Sequence, residues 1–192
     1  MGDLMNYLRG FTPWIAFAVV STIGWQWAAL TGLAVSAWLL VNHRRAGVAA
    51  DALILDGSTM LYFAAVAAVA FTFPDSGLRH YSGGLSLAWL AVTAWATLAV
   101  GRPFTTGIAR QQAPREIWHS PVFLRVNRVL TAFWAAAFTL TAAGVVAVTT
   151  AHLGTGANIA VQAAGFAIPA VFTARYPDRV RRKLAAPAPE QA

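Results

Sequence analysis

Asp56 is the only acidic residue inside any of the long apolar stretches of this sequence, and it lies near the start of Ala52–Phe73. A carboxylate is costly to bury in lipid, so an intramembrane Asp is usually paired or functional. Its depth of ~6 Å along a helix from the start of that stretch favours an ion pair with Arg44, Arg45 or Arg102. A cation or proton site in a small transporter or channel is the alternative.

The segment from Arg102 to Arg128 is the second candidate for chemistry, because it is too polar to cross a membrane and too apolar to be a free linker. Apolar residues and arginines on opposite sides predict an amphipathic segment on the anionic inner leaflet, with Trp118 at headgroup depth. It is either a connector that anchors the helices or a docking or gating element. The candidate lipid-facing or partner-facing residues are Arg110, Arg115, Trp118, His119, Arg125 and Asn127.

Residue sets for catalysis or metal binding are missing from the sequence. Cysteine is absent, which excludes disulfides, thiolate catalysis and iron–sulfur clusters. The four histidines, at positions 43, 80, 119 and 152, do not form a group of converging metal ligands. A Gly-rich phosphate loop and an HExxH pair are also absent. We therefore expect no catalytic residue, no cofactor and no metal.

The composition of the chain is that of a polytopic membrane protein. Of its 192 residues, 58% are hydrophobic and 11% are charged, whereas a soluble domain has about 45–50% apolar and about 25% charged residues. Lipid offers the backbone no hydrogen-bond partners, so the spans must be helical. The fold class predicted is all-α, a bundle of transmembrane helices.

Six apolar segments approach the roughly 20 residues that a membrane helix needs. Gly24 is the only breaker between the first two, so five spans are the alternative to six. We expect one membrane-embedded domain over residues 1–184 and a disordered tail over 185–192. The predicted spans lie near Leu4–Ile23, Trp25–Val41, Ala52–Phe73, Leu85–Val100, Val129–Thr150 and Ile159–Ala174.

The distribution of positive charge predicts the orientation of these spans. With six spans and the N-terminus inside, every Arg and Lys except Arg79 falls on the inner side. Both termini are then cytoplasmic. The net charge of +7 comes without a nucleic-acid-binding module, so we expect contact with anionic lipid and none with nucleic acid.

Small residues recur at every fourth position of the fifth predicted span, at Ala135, Thr139, Ala143 and Ala147. Such a stripe lets two helices approach closely. It predicts either packing within the bundle or the contact between two copies in a homodimer, and the sequence does not choose between them.

Several features together resemble one known family. A short first span over Phe11–Gly24 is followed by a tight hairpin, a basic inner loop at His43–Arg45 and a Pro-containing inner segment that ends at Trp118. The next span carries Trp134 with Phe138, and the last span ends at a basic, Pro-bearing segment, Arg175–Pro177. In these features the chain resembles the bacterial inner-membrane family called intracellular septation protein A.

That resemblance implies a function that the residues alone do not give. It implies a non-catalytic role in envelope maintenance, division or elongation, carried out through contacts with envelope-synthesis or division proteins. The small transporter or channel that uses Asp56 is the alternative function.

Overall fold

The computed structural model describes residues 11–185, and within this range the chain is helical with no strand. The all-α prediction is confirmed. Residues 4–10 of the first predicted span, and the predicted tail from residue 186 onward, lie outside the described residues.

Seven α-helices and three short 3-10 helices follow one another along the described chain. The 3-10 helices are Ala50–Leu53, Gly77–Tyr81 and Arg115–Ile117. The α-helices are α1 Thr12–Val20, α2 Trp25–Arg45, α3 Ile54–Thr72, α4 Ser82–Ala99, α5 Phe104–Arg110, α6 Pro121–Thr150 and α7 Gly154–Ala185.

Within residues 11–185, four helical segments are long and apolar enough to cross a membrane, as in a membrane protein. They are Ile54–Thr72, Gly77–Ala99, Pro121–Thr150 and Gly154–Leu184, and each overlaps one of the last four predicted spans. Helix α1 has 9 residues and, like α2, is not one of these four segments. Helix α2 has 21 residues and ends in His43, Arg44 and Arg45.

Successive long helices run up and down the bundle. Helix α1 packs on α2, α2 on α3, α4 on α6 and α6 on α7, while the short helix α5 packs against the Ala50–Leu53 turn and the start of α6. Helices α2 and α4 therefore end where α3 and α6 begin, and α7 also ends there.

Aromatic rings fill the interior in two neighbouring groups. Phe11 lies with its ring centroid 5.4 Å from that of Trp134 and 5.2 Å from that of Phe166. Trp14 lies 4.9 Å from Tyr62 and 4.8 Å from Phe63. Such offset and tilted contacts add to the energy of packing alone.

Glycine makes room for one of these rings. Phe63 is fully buried because it fills the space beside Gly32 of α2. A Cβ at Gly32 would lie 2.5 Å from Phe63 Cδ1, which is too close for two carbon atoms. The α2–α3 contact thus depends on the missing side chain.

Helix α7 lies at the edge of the bundle and packs along one side only, mainly on α6. In the 18-residue apolar stretch of α7, which we call its apolar window, 11% is buried inside the structure, against 39% in the corresponding windows of α3 and α6. Gly165 faces the side chain of Thr141 so closely that a Cβ there would overlap it, and a Cβ at Gly144 would lie 3.0 Å from Val161. These two glycines bring α6 and α7 together.

The predicted small-residue stripe is divided between the interior and the outside. Ala135 is buried, whereas Thr139, Ala143 and Ala147 are exposed. The Thr139 hydroxyl accepts a hydrogen bond from Trp95 Nε1 at 3.2 Å. The α6–α7 contact therefore uses residues about one position away from the stripe, on an adjacent face of α6.

Candidate functional site

One end of the bundle carries every described Arg and Lys except Arg79. This clustering follows from the topology, because the connections between α2 and α3 and between α4 and α6, together with the end of α7, all lie there. We call it the basic end. Asp56, the predicted amphipathic segment and both sets of candidate arginines belong to it.

Asp56 is buried in the first turn of α3, where it pairs with His43 from the last turn of α2. The distance from His43 Nδ1 to Asp56 Oδ2 is 2.5 Å, and Asp56 is 8% exposed while the imidazole is half-buried. The ring N–H can donate to the carboxylate, so the intramembrane charge has a local partner.

The identity of that partner differs from the prediction. Arg44, Arg45 and Arg102 are exposed, and among the described residues the ion pair of Asp56 is with His43. The reason is the direction in which successive side chains project from α2. Each residue turns the helix by about 100°, so Arg44 and Arg45 do not lie on the face of α2 where His43 contacts α3.

Helix α5 is inserted into the basic end instead of forming one continuous amphipathic helix with the residues that follow. Phe104, Thr105 and Gly107 are buried. The Thr105 hydroxyl donates to the backbone carbonyl of Asn127 at 2.9 Å and lies 2.8 Å from Thr131 Oγ1. These bonds fix α5 on the first turns of α6.

Asn127 was predicted to lie on a lipid or partner surface, and that prediction is wrong. It is 2% exposed, and its Nδ2 donates to the carbonyl of Phe123 at 2.9 Å. Position 127 lies one turn before Thr131 on the face of α6 that packs against α5, so the amide is interior.

The indole of Trp118 holds two of the predicted surface arginines together. The Arg110 and Arg115 guanidinium carbons lie 5.4 Å and 5.8 Å from the Trp118 ring centroid, within the range of cation–π attraction. Trp118 Nε1 donates to the carbonyl of Ala113 at 2.9 Å, which fixes the ring. Trp118, Arg110 and Arg115 thus form one unit.

His119 and Arg125 do not belong to that unit. Both are exposed near the start of α6, and among the described residues no hydrogen bond or ion pair is seen joining them to it. The α6 helix begins beside them because Ser120 caps it, its hydroxyl accepting from the backbone N–H of Phe123 at 3.2 Å.

A pocket of about 380 Å³ opens at the basic end, between the end of α4, α5 and α6. Arg102, Thr106, Gly107, Arg110 and Leu124 are among its lining residues. Two arginines and the apolar side chain of Leu124 are thus part of its wall. Both arginines are candidates in the sequence, but for different roles.

Polar residues also meet inside the bundle, between α3 and α4. Ser58 Oγ lies 2.6 Å from Thr93 Oγ1 and accepts from Trp89 Nε1 at 2.9 Å. Tyr62 OH lies 2.9 Å from Ser86 Oγ. These residues were not among the candidates predicted from the sequence, although each set recurs at helical spacing on one face of its own helix.

A second pocket, of about 420 Å³, opens at the opposite end of the bundle. Trp25 Nε1 donates to the carbonyl of Pro74 there at 3.0 Å. The pocket is lined by Asp75, Arg79 and His80 among others. The distance from Asp75 Oδ1 to Arg79 Nη1 is 3.9 Å. Its mixed charge distinguishes it from the pocket at the basic end.

Within residues 11–185, no three His, Asp or Glu side chains come together in a way that could hold a metal ion. No protein-family model, curated protein or solved structure matches this chain.

Proposed function

We propose that this chain is a six-pass protein of the bacterial inner membrane that supports envelope maintenance or septation through contacts with other membrane components, without catalysing a reaction. The observation that carries the proposal is the outer side of α7. This helix is long and apolar enough to span the membrane, yet only 11% of its apolar window is buried in the bundle.

The outer side of α7 carries both small and large apolar residues. Gly156, Ala160, Ala163, Ala164 and Ala167 are exposed there, as are Ile159, Ile168 and Val171. Between helices in lipid, small residues favour close contact. The small positions therefore fit a neighbouring transmembrane helix, either of an envelope-synthesis or division protein or of a second copy of this chain.

Packing and charge support the six-pass count. The apolar part of α2, Trp25–Val41, has 17 residues, a length of about 26 Å that approaches the hydrocarbon thickness. It packs along α3, which qualifies as a span. Helix α1 packs on α2 in turn and belongs to the first of the six proposed spans.

Orientation follows from the same charges. The basic end would face the cytoplasm, because Arg and Lys concentrate on the cytoplasmic side of inner-membrane proteins. Both termini would then be cytoplasmic, and Arg79 would be the one outward basic residue.

Replacing the small residues of α7 tests the proposal. In the cells that carry the gene, the chromosomal copy is changed to Ala163→Leu with Ala167→Leu, and cell length and shape are measured together with the amount of protein in the membrane. The matched control is Ala64→Leu with Ala68→Leu, which enlarges two exposed alanines at the same spacing on α3.

We expect the α7 variant to alter cell length or shape at normal abundance, and the α3 variant to leave both unchanged. If removal of the gene leaves envelope and division normal, the proposed role is wrong. If removal changes cell shape but the α7 variant does not, the role stands and the α7 contact is wrong.

A specific observation favours the transporter or channel as a second candidate. Asp56 is buried in α3 and pairs with His43 of α2. On the side of α3 that faces α4, Ser58, Tyr62 and Thr93 form a second polar group. A proton or small cation is the solute that a buried carboxylate beside an imidazole would suit.

Flux through reconstituted protein tests this candidate. Proteoliposomes containing the full chain, with a pH-sensitive dye or a sodium- or potassium-sensitive dye inside, are compared with those containing Asp56→Asn. Asp75→Asn, at an exposed carboxylate of the opposite end, is the control. Flux that Asp56→Asn abolishes and Asp75→Asn preserves supports transport, and flux unchanged by Asp56→Asn removes the idea.

A further inference from the structure

We propose that the last turns of α7, beyond the membrane, bind an acidic helical segment of another protein through one basic face. The inference deepens the proposed function, on whose membrane orientation it rests, by giving the chemistry of the partner. We call this surface the α7 basic face, and it consists of Arg175, Arg179, Arg182 and Lys183.

Helix α7 is longer than a bilayer is thick. Its 32 residues give a length of about 48 Å, whereas the hydrocarbon core measures about 30 Å and each headgroup layer adds roughly 5–7 Å. Arg175 is the first charged residue after Gly154, so the excess length lies at the C-terminal end. The last turns of α7 therefore extend about 10 Å beyond the headgroups.

The positive charges of this extension are concentrated on one side. At about 100° per residue, the four residues of the α7 basic face fall within an arc of about 100°, and all four are exposed. Arg181 lies outside that arc, and its Nη2 donates to Asp178 Oδ1 at 2.9 Å. Within residues 11–185, no member of the α7 basic face forms an ion pair. The face therefore presents four positive charges to its surroundings.

Apolar side chains attach the extension to α6, which keeps α7 upright. Tyr176 stacks on Phe172 with ring centroids 5.0 Å apart, and Phe172 stacks on Phe133 of α6 at 4.1 Å. One turn beyond Tyr176, Val180 and Val126 are half-buried at positions that this antiparallel register places opposite each other. A helix that binds a lipid surface lies flat and buries its apolar side among the headgroups. Here α6 covers that side, which favours a protein partner over lipid.

Charge selects the chemistry of the partner. Guanidinium groups bind carboxylates through charge-assisted and often bidentate hydrogen bonds. Asp or Glu at every third or fourth position of a partner helix would also lie on one face. A second copy of this chain has the same orientation in the membrane, so contact between two α7 helices would bring like charges together, which is unfavourable. The partner is therefore a different protein.

Peptide binding to the purified full-length chain tests the inference. The protein is placed in phosphatidylcholine nanodiscs and titrated with a fluorescent, alanine-rich helical peptide that carries glutamate at every third or fourth position. The same peptide with glutamine in place of glutamate is the uncharged probe. Affinities are measured by fluorescence anisotropy.

Two triple variants provide the comparison. The face variant combines Arg175→Gln, Arg179→Gln and Arg182→Gln. The matched control removes the same number of exposed arginines from the basic end outside the face, through Arg44→Gln, Arg45→Gln and Arg125→Gln.

We expect the glutamate peptide to bind at least tenfold more tightly than the glutamine peptide. The face variant should weaken its binding roughly tenfold, since several exposed ion pairs are lost, and the control should weaken it less than threefold. Binding should also weaken as the salt concentration rises. Because all the replaced arginines are exposed, Tm should stay the same in both variants, so weaker binding would not reflect misfolding.

Any of three results would overturn the proposal. Equal binding of the two peptides would exclude recognition of carboxylates. Equal losses in the face variant and the control would show attraction to the whole basic end. A difference between the variants that disappears when phosphatidylglycerol is added to the nanodiscs would show that anionic lipid covers the face. Since none of these results involves cell length or shape, they are distinct from failure of the proposed role in the envelope.

Discussion

Helices α3 and α7 are both long and apolar enough to cross a membrane, yet they hold opposite places in the molecule. The buried share of the apolar window is 39% in α3 and 11% in α7. Helix α3 contacts α2 through Phe63, α1 through the ring of Trp14 and α4 through hydrogen-bonded hydroxyls. Helix α7 packs along one side, mainly on α6.

The difference teaches that apolarity identifies a membrane helix but not its place in the bundle. Lipid tails are as apolar as leucine, so a central and a peripheral helix have the same reason to be hydrophobic. What separates them is the contact that neighbouring helices offer, and in both cases a glycine controls that contact. Predictions at those glycines therefore test the comparison directly.

The largest effect is expected from Gly32→Ala. The new Cβ would lie 2.5 Å from Phe63 Cδ1, and Phe63 cannot yield easily because it is fully buried among Trp14, Phe17 and Tyr62. Overpacking of this kind costs about 3 kcal/mol or less, partly offset by the ~1 kcal/mol that Ala gains over Gly in a helix. The apparent Tm in detergent, followed by the helical circular dichroism signal, should fall by several degrees.

Gly57→Ala is the matched control for Gly32→Ala. Gly57 lies within α3, and a Cβ there meets nothing within 4 Å, so only the gain in helix propensity remains. We expect its Tm to stay the same or rise. If Gly32→Ala is as stable as Gly57→Ala, the tight α2–α3 contact does not hold the interior together.

A smaller effect is expected from Gly165→Ala in α7. Its Cβ would overlap the side chain of Thr141, whose hydroxyl donates to the carbonyl of Ala137 at 2.7 Å. Because α7 is held along one side only, it can shift away from α6, and we expect a loss of about 1–2 kcal/mol. Thermal unfolding in detergent measures this loss.

Gly156→Ala provides the comparison within α7 itself. A Cβ at Gly156 meets nothing within 4 Å, so this variant should be at least as stable as the native chain. Equal destabilisation by both alanines would mean that α7 depends on glycine flexibility and not on its contact with Thr141. A larger loss for Gly165→Ala than for Gly32→Ala would reverse the ranking of the two helices.

The sequence was sufficient to predict the all-helical fold and the positions of the last four predicted spans, because length and apolarity alone determine a membrane helix. It also predicted that Asp56 needs a partner. It did not identify His43 as that partner, because the choice among His43, Arg44 and Arg45 depends on the rotation of α2 against α3. The rotation of α2 is set by its packing against α3, and the composition of the chain does not reveal it.

The same limit explains what was missed in the interior and on α6. Ser58, Tyr62 and Thr93 are ordinary residues in a membrane helix until α3 and α4 face each other with them in register. The stripe at Ala135 and Ala143 had the correct spacing for a helix contact. It lies on a face adjacent to the one that packs on α7, since Gly144 and Thr141 occupy that face.

The smallest effect is expected from Thr173→Val, which removes a hydrogen bond between α6 and α7. The hydroxyl of Thr173 accepts from Trp134 Nε1 at 2.9 Å, and both residues are buried. Valine preserves the shape but leaves the indole N–H without this acceptor. Hydrogen bonds between membrane helices contribute about 0.6 kcal/mol on average, so the loss should be about 1 kcal/mol, a fall in Tm of roughly 2–4 °C for a chain of this size.

Thr155→Val is the control for Thr173→Val, since Thr155 is exposed near the start of the same helix and the change in side chain is identical. If both valines leave Tm unchanged, α7 is held by shape alone, through Gly165 and the stacked rings of Phe133 and Phe172. If only Thr173→Val lowers Tm, a hydrogen bond also fixes the rotation of α7 on α6. That rotation determines which side of α7 faces away from the bundle, and so whether its exposed alanines can meet another helix.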